Sequence, residues 1–124
     1  MTGGTGRTIR LEVLVREDCP NRGMAVQVAE RALERSGVAA ELRVVDVRSE
    51  AEASERRFLG SPSVHVDGID VEPGAGERTD YTLACRVYRS GSGIQGWPEE
   101  AWVRSALLVR AAQDEPERSS ATSP

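Results

Sequence analysis

A helix with one apolar stripe lies between two strand-like stretches near the start of this chain, and that arrangement restricts the possible folds most. Ile9, Leu11, Val13 and Val15 alternate with Arg10, Glu12, Leu14 and Arg16, the two-residue period of a strand. Ala25, Val28, Ala29, Ala32 and Leu33 then recur at helical spacing, and Gly37 is placed to end that helix. Residues 42–47 are apolar on both faces through Leu42, Val44, Val45 and Val47, as expected of a central strand. Strand, helix and strand in that order imply a parallel pair joined by a right-handed crossover.

The remaining pattern extends this unit. Ser49-Glu50-Ala51-Glu52 has the spacing of a capping box and opens a short helix that closes around Leu59-Gly60. Ser61-Pro62 breaks the chain before a strand over 63–66, and Asp67-Gly68 makes a turn. Residues 69–82 carry Pro73, Gly74 and Gly76 and read as a loop, 83–89 as a further strand, and 90–96 as a glycine-rich turn. Gly91, Gly93 and Gly96 lack phosphate-loop spacing. Pro98 suits the first position of a last helix, whose stripe is Trp102, Val103, Ala106 and Leu107. The expected architecture is an α/β domain, β-α-β-α-β-β-α, with a mixed four-stranded sheet whose last two strands are antiparallel and helices on both faces. Residues 1–7 form a flexible lead, 8–112 the domain, and 113–124 a tail too polar to bury a core.

Length allows one core in the 124 residues, and with 4% aromatics that core must be mostly valine, leucine and alanine. A net charge of −4, with the arginines scattered among acids, gives no basis for a nucleic-acid or anionic-membrane partner. No apolar run approaches the ~20 residues of a bilayer span, and residues 1–7 lack the apolar stretch of a secretory signal. A reducing, cytoplasmic setting follows as the expectation. Two cysteines there point to free, catalytic or metal-binding thiols more than to a structural disulfide.

Chemistry concentrates at Asp18-Cys19-Pro20-Asn21-Arg22, between the first strand and the first helix. A thiol at a helix mouth meets unpaired N–H groups and the positive end of the dipole, both of which favour thiolate. Arg22 would add a fixed positive charge. Asp18 beside a thiol would oppose it and reads as a turn residue. Gly60-Ser61-Pro62 favours a cis proline, whose preceding backbone could pair with an extended partner. His65 is the sole histidine and reads as a strand residue facing core or solvent. Trp97 and Trp102 read as packing residues, with Trp97 also a candidate pocket wall.

With these motifs in hand, the chain resembles thioredoxin-fold proteins over about residues 8–110, and so implies a three-layer thioredoxin-like domain. It is similar in particular to small actinobacterial-type members with a Cys-Pro-Asn turn, Gly-Ser-Pro followed by Val-Asp-Gly, and a Cys-Arg-Val-Tyr strand. Here these are Cys19-Pro20-Asn21, Gly60-Ser61-Pro62 with Val66-Asp67-Gly68, and Cys85-Arg86-Val87-Tyr88. Some members are labelled alkylmercury lyases, but no motif for carbon–mercury cleavage accompanies the label here. The resemblance puts Cys19 in the nucleophile position and Pro62 in that of the active-site cis-proline. Arg22 stands where Cys-x-x-Cys has its second cysteine, which rules out dithiol exchange within one turn.

The implied function is thiol–disulfide exchange with a protein or low-molecular-weight thiol, without a cofactor. Two alternatives belong to other classes: a soft-metal or organomercurial binder using Cys19 and Cys85, and a non-catalytic module whose sheet edge could form a homodimer. Cys85 has two readings. It could resolve a mixed disulfide on Cys19, or it could pack as a small buried hydrophobe. Packing is the expectation, because a disulfide needs Cα atoms within about 7 Å and the fourth strand of such a fold starts away from the nucleophile.

Overall fold

A computed structural model of the chain describes residues 8–91 and 93–113. The expected lead, 1–7, and the tail from 114 onward lie outside the described residues, while Gln113 belongs to the last helix. The elements are β1 (Ile9–Val15), α1 (Arg22–Ser36), β2 (Ala40–Asp46), α2 (Glu50–Glu55), β3 (Ser63–Val66), β4 (Ile69–Asp70), β5 (Tyr88–Ser90), β6 (Gly93–Gln95) and α3 (Glu100–Gln113). A single 3₁₀ turn, Ala75–Glu77, lies between β4 and β5. Among the described residues no helix is long and apolar enough to cross a membrane.

Strands β2, β1, β3 and β4 form one mixed sheet in that order. β1 pairs parallel with β2 from Ile9↔Ala40 to Val15↔Asp46, and antiparallel with β3 from Leu11↔Val66 to Leu14↔Ser63. The parallel pair agrees with the crossover that the sequence predicts. The central strand does not: β1 is central and β2 is an edge, where Val44 remains 40% exposed. Glu41 and Arg43 pair with one another along β2 and put charge on that edge, which opposes further strand addition.

A layer lies on each face of the sheet. Ile9, Leu11, Val13 and Val15 pack with Ala25, Val28, Ala29 and Ala32 of α1 and Val103 and Leu107 of α3. Alanines on the α1 stripe allow close approach, and burial of each larger side chain contributes about 1.5–3 kcal/mol. Leu14, of opposite parity on β1, packs with Val47, Ala53 and Phe58 in the second cluster, which includes α2. Gly37, at φ 70°, ends α1 as its position predicts. Ser49 caps α2 by accepting from the Glu52 N–H at 3.0 Å, while the Glu52 carboxylate accepts from the Arg48 N–H at 2.9 Å. α2 closes at Arg56, earlier than Leu59-Gly60. α3 begins at Glu100, so Pro98 lies two residues ahead of the helix and does not take its first position.

The fourth strand differs from expectation. Asp67 and Gly68, at φ 49° and 83°, form the two-residue turn of a tight hairpin. Residues 69 and 70 therefore return against β3 as β4. Residues 83–87 join no named strand, and Tyr88–Ser90 pairs only with Gly93–Gln95, in a separate two-stranded hairpin.

Candidate functional site

The turn after β1 carries Cys19. Its N–H donates to the Arg16 carbonyl at 3.2 Å, and its own carbonyl accepts from the Arg22 N–H at 3.4 Å. α1 begins at Arg22, so Cys19 lies ahead of the cap residue Asn21 and not inside the first helical turn. The Asn21 side chain makes no capping bond; its carboxamide lies against Gly96, where a Cβ would overlap it. The loop before α3 thus supports the Cys-Pro-Asn turn from outside. Cys19 is half-buried, and it and Trp97 both pack against the first core cluster.

Both arginines near Cys19 have carboxylate partners. The Arg22 guanidinium bonds Asp46 at 3.2 Å, across the end of β2. Arg16 bonds both oxygens of Asp18 at 3.1 Å. Among the described residues neither bonds Cys19, so the charge expected of Arg22 is shared with Asp46. Arg16, Glu17 and Asp18 after β1, with Val47 and Arg48 after β2 and Leu83, line an open cleft of about 570 Å³. It lies at the carboxyl ends of two parallel strands, where open α/β sheets commonly bind ligands.

Ser61 joins this turn to the second cysteine. Its hydroxyl accepts from the Arg16 N–H at 2.9 Å. Its N–H donates to the Ala84 carbonyl at 2.8 Å, and its carbonyl accepts from the Arg86 N–H at 3.0 Å. These two bonds form a parallel bridge with Cys85. The Ser61–Pro62 peptide bond is cis, as Gly60-Ser61-Pro62 predicts. The Ser61 backbone, expected to be available to a partner, is already occupied by residues 84 and 86. Cys85 itself is exposed, which corrects the buried-strand expectation. Both thiols are free.

A buried polar network anchors the strap 82–86. Arg86 donates to Asp70 at 2.7 and 3.2 Å, to Glu72 at 2.6 Å and to Ser63 at 2.7 Å. Its guanidinium carbon lies 4.4 Å from the Tyr88 ring centre, a cation–π arrangement. The Tyr88 hydroxyl donates to the Pro62 carbonyl at 2.6 Å. Burial pushes the Tyr88 hydroxyl well above its ordinary pKa, against the opposing effect of Arg86. Nothing in the sequence assigns Arg86 or Tyr88 a role beyond their place in Cys85-Arg86-Val87-Tyr88.

His65 faces the core, only 2% exposed, with Nε2 3.7 Å from an Asp70 oxygen and no hydrogen bond among the described residues. Burial lowers its pKa from about 6.5, although Asp70 and Glu12 pull the other way. A depressed histidine value means that the unfolded chain binds the proton first. This contribution is therefore intact above about pH 6.5 and is lost as pH falls towards the folded-state value, by at most about 1.4 kcal/mol per pH unit. Urea unfolding at about pH 7.5 and about pH 5.5 should show a larger acid loss for the native chain than for His65→Asn. Equal losses would mean that His65 titrates in the fold as it does in the open chain.

Among the described residues no group of three or more His, Cys, Asp or Glu could hold a metal ion, so a soft-ion site would rest on Cys19 and Cys85 alone. No protein family, curated protein or solved structure matches this chain.

Proposed function

We propose that this chain is a thioredoxin-like thiol protein that exchanges disulfides through Cys19, with Cys85 as the resolving thiol. The observation that carries this reading is the convergence on Ser61. Its hydroxyl holds the Cys19 turn through Arg16, and its backbone holds both neighbours of Cys85. The element order β1-α1-β2-α2-β3-β4, closed by α3, supports the thioredoxin-like part of the reading.

The chemistry balances without a cofactor. The Cys19 thiolate attacks a disulfide, forms a mixed disulfide with one half and releases the other as a thiolate. Cys85, deprotonated, then attacks Cys19 Sγ, forms the Cys19–Cys85 bond and releases the second thiolate. The chain ends oxidised by two electrons and the substrate reduced by two. The second step requires the two sulfurs, both free thiols here, to come within bonding distance of one another. A reducing cytoplasm would restore the dithiol.

Incubation with oxidised glutathione, followed by mass spectrometry, tests both steps. The native chain should lose two hydrogens without retaining glutathione, Cys85→Ser should hold one glutathione on Cys19, and Cys19→Ser should form no internal bond. Two thiols that are glutathionylated independently, with no loss of two hydrogens, would exclude Cys85 as the resolving group. Failure of Cys85→Ser to accept glutathione on Cys19 would exclude the nucleophile.

A further inference from the structure

A second concavity, of about 290 Å³, lies between the end of α2, the β3–β4 turn and the loop before the strap. Leu59, Ile69, Ala75 and Tyr81 give it apolar walls, and three charged residues, Arg57, Asp70 and Arg78, also line it. Two of the three are already neutralised. Asp70 is held through both oxygens by Arg86, and Arg78 is clamped by Asp80 at 3.0 and 2.6 Å. Among the described residues the Arg57 guanidinium has no hydrogen bond and no ion pair.

The backbone at Arg57 is a second and independent sign. Its N–H donates to the Ser54 carbonyl at 3.2 Å, and the Phe58 N–H donates to the Ala53 carbonyl at 2.8 Å. This is the bonding of a helix end that closes through one left-handed residue, a place normally taken by glycine. Arg57 occupies it at φ 57°, whereas the same chain ends α1 with Gly37 at φ 70°. A bulky side chain therefore stands where the turn alone would favour glycine, and strain of this kind clusters at binding sites.

We propose that this cleft binds a small apolar carboxylate, with the anionic head on Arg57 and the hydrocarbon body against Leu59, Ile69, Ala75 and Tyr81. The volume suits about ten non-hydrogen atoms, at roughly 30 Å³ each. Arg57 is exposed, so an anion would gain an ion pair there that a neutral ligand cannot make, and a cation would be repelled. The proposal is independent of the thiol chemistry.

Octanoate is the probe, followed by amide shifts in a proton–nitrogen NMR titration of the full chain, with octylamine as the control of opposite charge. Octanoate should shift amides of Leu59, Ile69 and Ala75, and octylamine should not. Arg57→Gly should weaken octanoate at least about tenfold, equivalent to about 1.4 kcal/mol, while the melting temperature stays level or rises because glycine suits the left-handed region. Arg57→Asn, which also tolerates that region, should lose binding to the same degree. The proposal is overturned by any of three results: no octanoate binding at millimolar concentration, equal affinity in Arg57→Gly, or comparable binding of octylamine.

Discussion

Asp70→Ala should destabilise the domain by about 3–5 kcal/mol, the usual cost of leaving one member of a buried ion pair without its partner. Arg86 and Asp70 are each only 4% exposed in their side chains and are joined by two hydrogen bonds. Burial alone would lower the guanidinium pKa, but its bonds to Asp70 and Glu72 keep it above the ordinary value. An arginine's ordinary pKa is so far above neutrality that the group stays charged even when Asp70 is removed. Glu72, 22% exposed, remains as a partner, which places the loss towards the lower end of the range. Asp70→Asn, which retains an acceptor, should cost less than Asp70→Ala. Urea unfolding with an unchanged slope is the measurement, and a loss under about 1 kcal/mol would mean that Glu72 and Ser63 satisfy the arginine by themselves. Because Arg86 also fixes one end of the strap, amide exchange at residues 84–86 should accelerate in the same variant.

That network explains what the sequence concealed. In residues 85–88 the hydrophobic rule would turn Cys85 and Val87 inward, yet Arg86 and Tyr88 are the buried pair and Val87 is 63% exposed. Parity is inverted because Asp70 and Glu72, distant in sequence, supply the counter-charges that let an arginine enter the core. Single-sequence periodicity cannot register such a pairing. β4 was hidden for a related reason: a two-residue strand has no period, and its existence depends on the positive φ at both Asp67 and Gly68. By contrast, β1, the α1 stripe, Gly37 and the Ser49 cap are local patterns, and all four appear where the sequence puts them. For the candidate site, the residues were legible and their partners were not. Arg22 next to Cys19 reads as a thiolate stabiliser until the β1–β2 register brings Asp46 within reach of it.

Gly60→Ala is the second large effect expected, at about 2–4 kcal/mol, because it combines backbone strain with overpacking. Gly60 is buried at φ 123°, a region that side-chain-bearing residues rarely adopt. A Cβ there would sit 2.9 Å from the Arg86 Cβ and 3.2 Å from the Ala84 carbonyl oxygen. Neither neighbour can yield cheaply: one is the stem of the buried arginine, and the other accepts the Ser61 N–H. The strap must therefore shift outward, loosening the two backbone bonds that tie Ser61 to residues 84 and 86. Stability and exchange should consequently change together, with faster amide exchange at Ser61 and Arg86 than at Leu11 and Val13 in the β1 core. A loss below about 0.5 kcal/mol, with protection at Ser61 intact, would show that the strap tolerates a methyl group and is not held by close packing. Under the proposed chemistry the same shift has a functional consequence. Release of the Ser61 backbone frees one N–H and one carbonyl for an extended partner, so Gly60→Ala should accept glutathione on Cys19 faster than the native chain under conditions where both are folded.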